Sequence, residues 1–126
     1  MGVAMIVGIG TDLIEIDRVI KACENEVFQT KYFTKQEISF CKIEPKKFAD
    51  NFAVKEAVSK VFGTGFGKIA PIEIEVLRDP LGKPFVNLYG NAKKMAHSMN
   101  MNKVWVSITN TNTYVSAFAV GESTSI

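Results

Sequence analysis

Asp12 and Glu56 are the two carboxylates whose surroundings suit chemistry. Asp12 stands in Gly8-Ile9-Gly10-Thr11-Asp12-Leu13, where an apolar segment expected to be a strand gives way to one expected to be a helix. Glu56 stands inside Phe52-Ala53-Val54-Lys55-Glu56-Ala57-Val58-Ser59-Lys60, a helical pattern. A helix packed across the end of a strand would bring the two acids together. Two carboxylates without histidine suit a hard cation: Mg²⁺ takes one or two protein carboxylates and completes its shell with water and phosphate oxygens. Softer chemistry has little to work with. His97 is the only histidine and falls on an expected surface helix, which disfavours a Ser-His-Asp or Cys-His arrangement. Cys23 and Cys41 are far apart and lack zinc spacing.

Each of these residues also has a plainer reading. Asp12 followed by Glu15 has the D-x-x-E spacing of a helix start, so Asp12 reads equally as an N-cap worth about 1 kcal/mol. Glu56 and Lys60 form an i,i+4 pair, worth roughly 0.2–0.5 kcal/mol on a solvent face. Gly63-Thr64-Gly65-Phe66-Gly67 is first a helix stop and second a loop able to face phosphate. Lys46, Lys47, Lys93 and Lys94 read as solvated faces.

The elements that must position these groups follow from periodicity. Val3 to Ile9 reads as a buried strand. Ile16, Val19, Ile20, Cys23 and Val27 recur at helical steps, Thr34 and Glu37 announce a second helix over 34–42, and Phe48 to Phe62 carry a third that stops at Gly63. Ile72–Leu77 and Pro84–Tyr89 form a hairpin around Asp79-Pro80-Leu81-Gly82, and residues 91–99 form a helix. Lys103–Thr109 and Tyr114–Val120 form a closing hairpin, with fraying expected from Glu122. This order predicts an α+β fold with a mainly antiparallel sheet packed against helices, residues 1–126 forming a single domain.

Composition sets the outer bounds. With 126 residues, 47% apolar and 22% charged, the chain has the profile of a soluble globular domain. No stretch approaches the roughly 20 apolar residues of a membrane span, and Val3–Gly10 is too short and glycine-rich for a signal sequence. A net charge of +2 is far from the basic balance of a dedicated nucleic-acid binder. Two cysteines in a chain of this size read as reduced thiols of a cytoplasmic protein.

Two segments carry a family resemblance. Gly8-Ile9-Gly10-Thr11-Asp12-Leu13-Ile14-Glu15-Ile16 with Arg18 resembles the first motif of bacterial holo-[acyl-carrier-protein] synthases, members of the 4′-phosphopantetheinyl transferase family. Phe52 to Lys60 followed by Phe62-Gly63-Thr64-Gly65 resembles the second. Asp79 with Gly82-Lys83-Pro84, and Val106-Ser107-Ile108-Thr109, follow in family order and spacing, so the resemblance runs from about residue 5 to 120.

The resemblance implies an enzyme of fatty acid biosynthesis. Coenzyme A would donate its 4′-phosphopantetheine arm to a serine of apo acyl carrier protein and release 3′,5′-ADP. Asp12 and Glu56 would hold Mg²⁺, with a bound water, or Glu56 through it, acting as base for the serine. Lys60 would neutralise charge on the leaving group. Ser59, Lys60 and the amides of Gly63 and Gly65 would contact coenzyme A phosphates. The family is a homotrimer with sites between subunits, so Lys83, Pro84, Thr109, Asn110 and Thr111 would serve a neighbour's site. Arg18 and Lys21 would meet the acidic carrier. Two positions depart from the family: Asn51 where arginine is common, and Asn110 where histidine is common. Both weaken the expected phosphate contacts unless Lys46, Lys47 or Lys83 compensates. The alternatives are a Mg²⁺-dependent phosphohydrolase and a non-catalytic module that docks an acidic partner. No nucleic acid or membrane partner is expected.

Overall fold

Strand β1 runs from Val3 to Glu15 and carries Asp12 inside its extended backbone. It continues well beyond Ile9 because strand β5 (Tyr114–Ser125) pairs with it antiparallel along its whole length, from Val3 opposite Ser125 to Glu15 opposite Tyr114. Turning helical at Asp12 would forfeit those ladder hydrogen bonds. The D-x-x-E spacing is therefore not a helix start, and β5 is paired through Ser125 rather than frayed from Glu122. The computed structural model describes residues 2–125.

Helix α1 (Ile16–Ala22) is short, because Asn25 opens a new helix by accepting from the amides of Val27 and Phe28. The expected first helix is thus two, α1 and α2 (Glu26–Tyr32), and Val27, assigned to its apolar face, is 74% exposed. Helix α3 (Lys35–Ile43) starts as expected, with Thr34 and Glu37 forming a reciprocal capping box. Helix α4 (Lys46–Val61) is buried on most of its circumference, as a helix at the centre of a small core must be. Strands β2 (Ile74–Arg78) and β3 (Pro84–Leu88) form the expected hairpin, with Gly82 at φ +86° in its turn. Helix α5 (Gly90–Ser98) and strand β4 (Lys103–Asn110) complete the chain.

The larger sheet has the order β1-β5-β4, all antiparallel, and β2-β3 forms a second, two-stranded sheet. The fold is α+β, with α4 lying across the inner face of the larger sheet where Val115, Ala117 and Ala119 are buried. The outer face is another matter. Ile6, Ile9 and Leu13 of β1 are exposed there, with Trp105 and Phe118 from the neighbouring strands. The expectation that Val3 to Ile9 forms a buried strand is corrected for the single chain, where Val3, Met5, Ile6 and Ile9 are exposed. A bulge between Ile6 and Gly8 resets the alternation, and beyond it Gly8, Gly10, Asp12 and Ile14 turn inward while Ile9, Thr11 and Leu13 turn out. Cys23 and Cys41 are both buried and unpaired. No described helix is long and apolar enough to cross a membrane.

Candidate active site

The approach of β1 to α4 is set by two missing side chains. A Cβ on Gly10 would collide with the carbonyl oxygen of Ala57, and one on Gly8 with that of Val61. Ala57 and Val61 are one helical turn apart, and Gly8 and Gly10 are one inward step apart, so strand backbone lies directly on helix backbone. The next inward residue is Asp12. It meets the turn of α4 that carries Glu56 and Lys60.

Lys60 Nζ donates to Thr11 O at 2.8 Å and lies 3.5 Å from Asp12 Oδ1. Asp12 Oδ2 is buried and has no hydrogen-bond partner. The Glu56 carboxylate makes no hydrogen bond or ion pair among the described residues, and its backbone carbonyl accepts from Ser59 Oγ at 2.6 Å. Burial raises the Asp12 pKa above the usual carboxylate range despite the opposing pull of Lys60. Burial also raises that of Glu56, and the negative charge of Asp12 raises it further against Lys60. Two half-buried acids that repel each other, one with an orphaned oxygen, carry more negative charge than Lys60 alone offsets. Among the described residues no cluster of three or more His, Cys, Asp or Glu could hold a metal. A cation here would have two protein ligands, which fits Mg²⁺ better than zinc or calcium.

A second polar surface lies elsewhere on the chain. Lys47, Arg78, Lys83, Pro84 and Asn110 line one groove, whose lining includes neither Asp12 nor Glu56. Asn110 Nδ2 donates to Asp50 Oδ1 at 3.1 Å, and Lys47 lies 3.8 Å from the same carboxylate. Lys83 reaches over the ring of Trp105 at 5.7 Å. The Arg78 guanidinium rests over Phe40 and donates to Asn51 Oδ1 at 2.9 Å. Lys47, Arg78 and Lys83 outnumber the one acid, which leaves the groove suited to an anion.

The remaining expected site residues divide. Asp12, Glu56 and Lys60 come together, as do Lys83, Pro84 and Asn110. Gly63 and Gly65 adopt φ +80° and +59° on open surface, with free space where a side chain would stand. Ser59 is fully buried and its hydroxyl serves its own helix. Thr109 is exposed, and Thr111 Oγ1 accepts from the amides of Thr113 and Tyr114, which shapes the β4–β5 turn. Arg18 borders an apolar pocket with Leu13, Val19, Phe28 and Phe52, whereas Lys21 is exposed outside its lining. Asn51 is buried and reaches the groove only through Arg78. Arg78 itself escapes the sequence reading. A cation on the last residue of a strand before an Asp-Pro-Leu-Gly turn was its only signal.

The comparisons bear on the same two surfaces. The model of the 4′-phosphopantetheinyl transferase superfamily matches residues 8–119, which span both. The chain belongs to that superfamily. A holo-[acyl-carrier-protein] synthase of Lachnoclostridium phytofermentans is 61% identical over 118 residues, covering 94% of this chain and 97% of that one. Among solved structures, the acyl carrier protein synthase of Plasmodium yoelii with ADP bound has a TM-score of 0.86 and 31% identity, over 96% of this chain and 98% of that chain. The holo-(acyl-carrier-protein) synthase of Bacillus anthracis in complex with CoA (3′,5′-ADP) has a TM-score of 0.78 and 34% identity, over 94% and 98%. The chain shares the α+β fold of those synthases.

Proposed function

We propose that this chain is a holo-[acyl-carrier-protein] synthase. It transfers the 4′-phosphopantetheine group from coenzyme A to a serine of an apo acyl carrier protein. The serine oxygen bonds to the phosphorus that bears the pantetheine arm. The pyrophosphate P–O bond breaks, 3′,5′-ADP leaves, and the serine proton passes to a base. The observation that carries this reading is the Asp12–Glu56 pair beside Lys60, with Asp12 Oδ2 left unsatisfied, in a chain so similar to a named synthase.

Asp12 and Glu56 would hold Mg²⁺, since the orphaned oxygen and the mutual repulsion are both relieved by a cation. When bound, such an ion offsets charge on the pyrophosphate and acidifies a coordinated water. Glu56, with its raised pKa, is suited to accept the serine proton. Lys60 keeps one donor on Thr11 O, and its half-exposed ammonium has others to offer the leaving phosphate. The amides of Gly63 and Gly65 present further donors from open backbone. Arg18 beside the apolar pocket offers an acidic carrier a charge and an apolar seat together, with Lys21 adding to the field.

The groove of Lys83, Pro84 and Asn110, with Thr109 and Thr111 at its edge, is read as coenzyme A surface serving a neighbouring copy in a homotrimer. The exposed face of Ile9, Leu13, Trp105 and Phe118 supports this, because adjoining apolar residues left uncovered on a sheet suit an interaction surface. Chain and carrier meet in the cytoplasm, where two buried unpaired cysteines are at home. Neither nucleic acid nor membrane enters the reading, and residues 1–126 are read as a single domain.

The test is incubation with apo carrier, coenzyme A and Mg²⁺. A carrier mass gain of one phosphopantetheine, lost in EDTA and in Glu56→Ala, is the expected result. Release of 3′,5′-ADP without any carrier would point to a hydrolase, and no gain with several carriers would refute the transfer.

A further inference from the structure

Glu37 is fully buried and belongs to no part of the chemistry described so far. Its two oxygens are divided between two tasks. Oε1 accepts from Lys55 Nζ at 2.7 Å and from the Thr34 amide at 3.1 Å. Oε2 accepts from Asn51 Nδ2 at 3.0 Å and from the Val76 amide at 3.2 Å. Lys55 is fully buried as well, and it donates further to Pro71 O and Ile74 O at 3.0 and 2.6 Å. Every hydrogen of that ammonium is placed, so Lys55 holds Glu37 in its ionised, accepting form.

An ionised carboxylate can only accept, so the Asn51 amide facing it must present its NH₂. The second amide hydrogen goes to Val76 O at 3.0 Å. With both hydrogens committed, the Asn51 oxygen has one direction left, outward, and there it takes Arg78 Nη2 at 2.9 Å. A reversed amide would set two donors against the guanidinium. The orientation of Asn51 is thus dictated from the interior and expressed at the groove.

We infer that Glu37 is a positioning residue: acting through Asn51, it clamps the Arg78 guanidinium into the cationic groove as the contact for a phosphate group of the nucleotide donor. This rests on the reading of that groove as coenzyme A surface. It also reverses the expectation attached to Asn51. The asparagine is the clamp of a cation supplied from β2, where the resemblance alone suggested a cation lost. Arg78 is suited to the task because, beyond Nη2 on Asn51 and a long Nη1 contact to Leu77 O at 3.3 Å, it keeps guanidinium donors to offer phosphate oxygens.

The relay is tested by calorimetric binding of 3′,5′-ADP, alongside KM and kcat for coenzyme A with apo carrier in excess. The proteins are the parent, Glu37→Gln, Asn51→Ala, Arg78→Ala and the doubles that combine Arg78→Ala with each of the others. Glu37→Gln lets the facing amide reverse and should loosen Arg78 without removing it. Each single variant is expected to weaken 3′,5′-ADP and raise KM by roughly ten-fold, the loss of one charge-assisted contact, with kcat much less affected. Each double should bind no more weakly than Arg78→Ala alone, which a purely structural defect would not produce. Should Glu37→Gln fail to fold, Asn51→Ala and its double carry the same comparison. Additive losses, parent-like binding by Asn51→Ala, or parent-like binding by Arg78→Ala would each overturn the relay. A parent protein that modifies no carrier, yet shows the same order of 3′,5′-ADP affinities, would refute the transfer reading and leave the relay standing.

Discussion

Lys55 and Glu56 are neighbours in sequence, point about 100° apart around α4, and end in opposite circumstances. Lys55 turns into the core, where an acid and two carbonyl oxygens take all its hydrogens. Glu56 turns toward β1, where the repulsion of Asp12 outweighs the pull of Lys60. Burial raises the carboxyl pKa in both places, at Glu37 on one side and at Asp12 and Glu56 on the other. Only on the first side does the chain itself supply enough compensating donors. The satisfied cluster is architecture, and the unsatisfied one leaves Asp12 Oδ2 without a partner, which is why the proposed cation is assigned there. Polar completeness, more than burial or charge, separates the two.

That contrast can be broken from either side. Glu56→Ala should lower carrier modification by about 10²–10³-fold, the range for removing one group that stabilises developing charge, while the thermal midpoint stays near the parent's. Mass spectrometry of the carrier and a melting curve read the two effects apart. On the other side, Lys55→Met leaves the Glu37 carboxylate buried without its cation and should destabilise by about 3–5 kcal/mol. Adding Glu37→Leu should recover part of that in chemical denaturation, since two apolar residues avoid the stranded charge.

The seam between the regions gives a middling effect. Gly10→Ala forces β1 away from the Ala57 carbonyl and should destabilise by about 1–3 kcal/mol. It should also depress activity more than that loss explains, because Asp12 moves with the strand. A variant with parental activity would show that the close approach does not position the acid.

The smallest effect has the most telling sign. In metal-free protein the Asp12 and Glu56 pKa values lie above the ordinary carboxylate range, so the native state binds protons more tightly than the unfolded chain. Their contribution to stability is fully present below the ordinary range and is lost as pH rises through the raised values. Glu56→Gln should therefore be more stable than the parent at neutral pH, by less than about 1 kcal/mol given solvent screening. The difference should vanish in acid. Activity should move the opposite way, rising as the same carboxyls ionise. Equal stability of the two proteins at every pH would show that Glu56 carries no strain.

How far these regions were legible in the sequence follows from what makes each. The Thr34–Glu37 capping box, the Asp79–Gly82 turn and the stop at Gly63 are local, and they stand where the spacing placed them. Asp12 was recognisable as a residue, but its element was not, because only the distant pairing with β5 keeps it extended. The same holds for Val27: the apolar periodicity ran on from Cys23 to Val27, yet Asn25 between them caps a new helix. Glu37 was read as a cap and nothing more. That a cap glutamate should also ground a buried lysine and orient an asparagine from another helix depends on packing that no spacing encodes.

The pairing of β1 with β5 has a consequence for how the protein is made. Asp12 emerges early in translation, but its strand partner, with Ala117 opposite it, belongs to the last described element to leave the ribosome. Until then β1 is a strand with open edges and an apolar outer face, the kind of segment that holdase chaperones grip and that pairs wrongly in crowded solution. The corner that sets Asp12 beside Glu56 and Lys60 thus forms only once β5 is in place. A fragment cut short before β5 would keep α4 with Glu56 and Lys60, and lack the ordered acid that faces them.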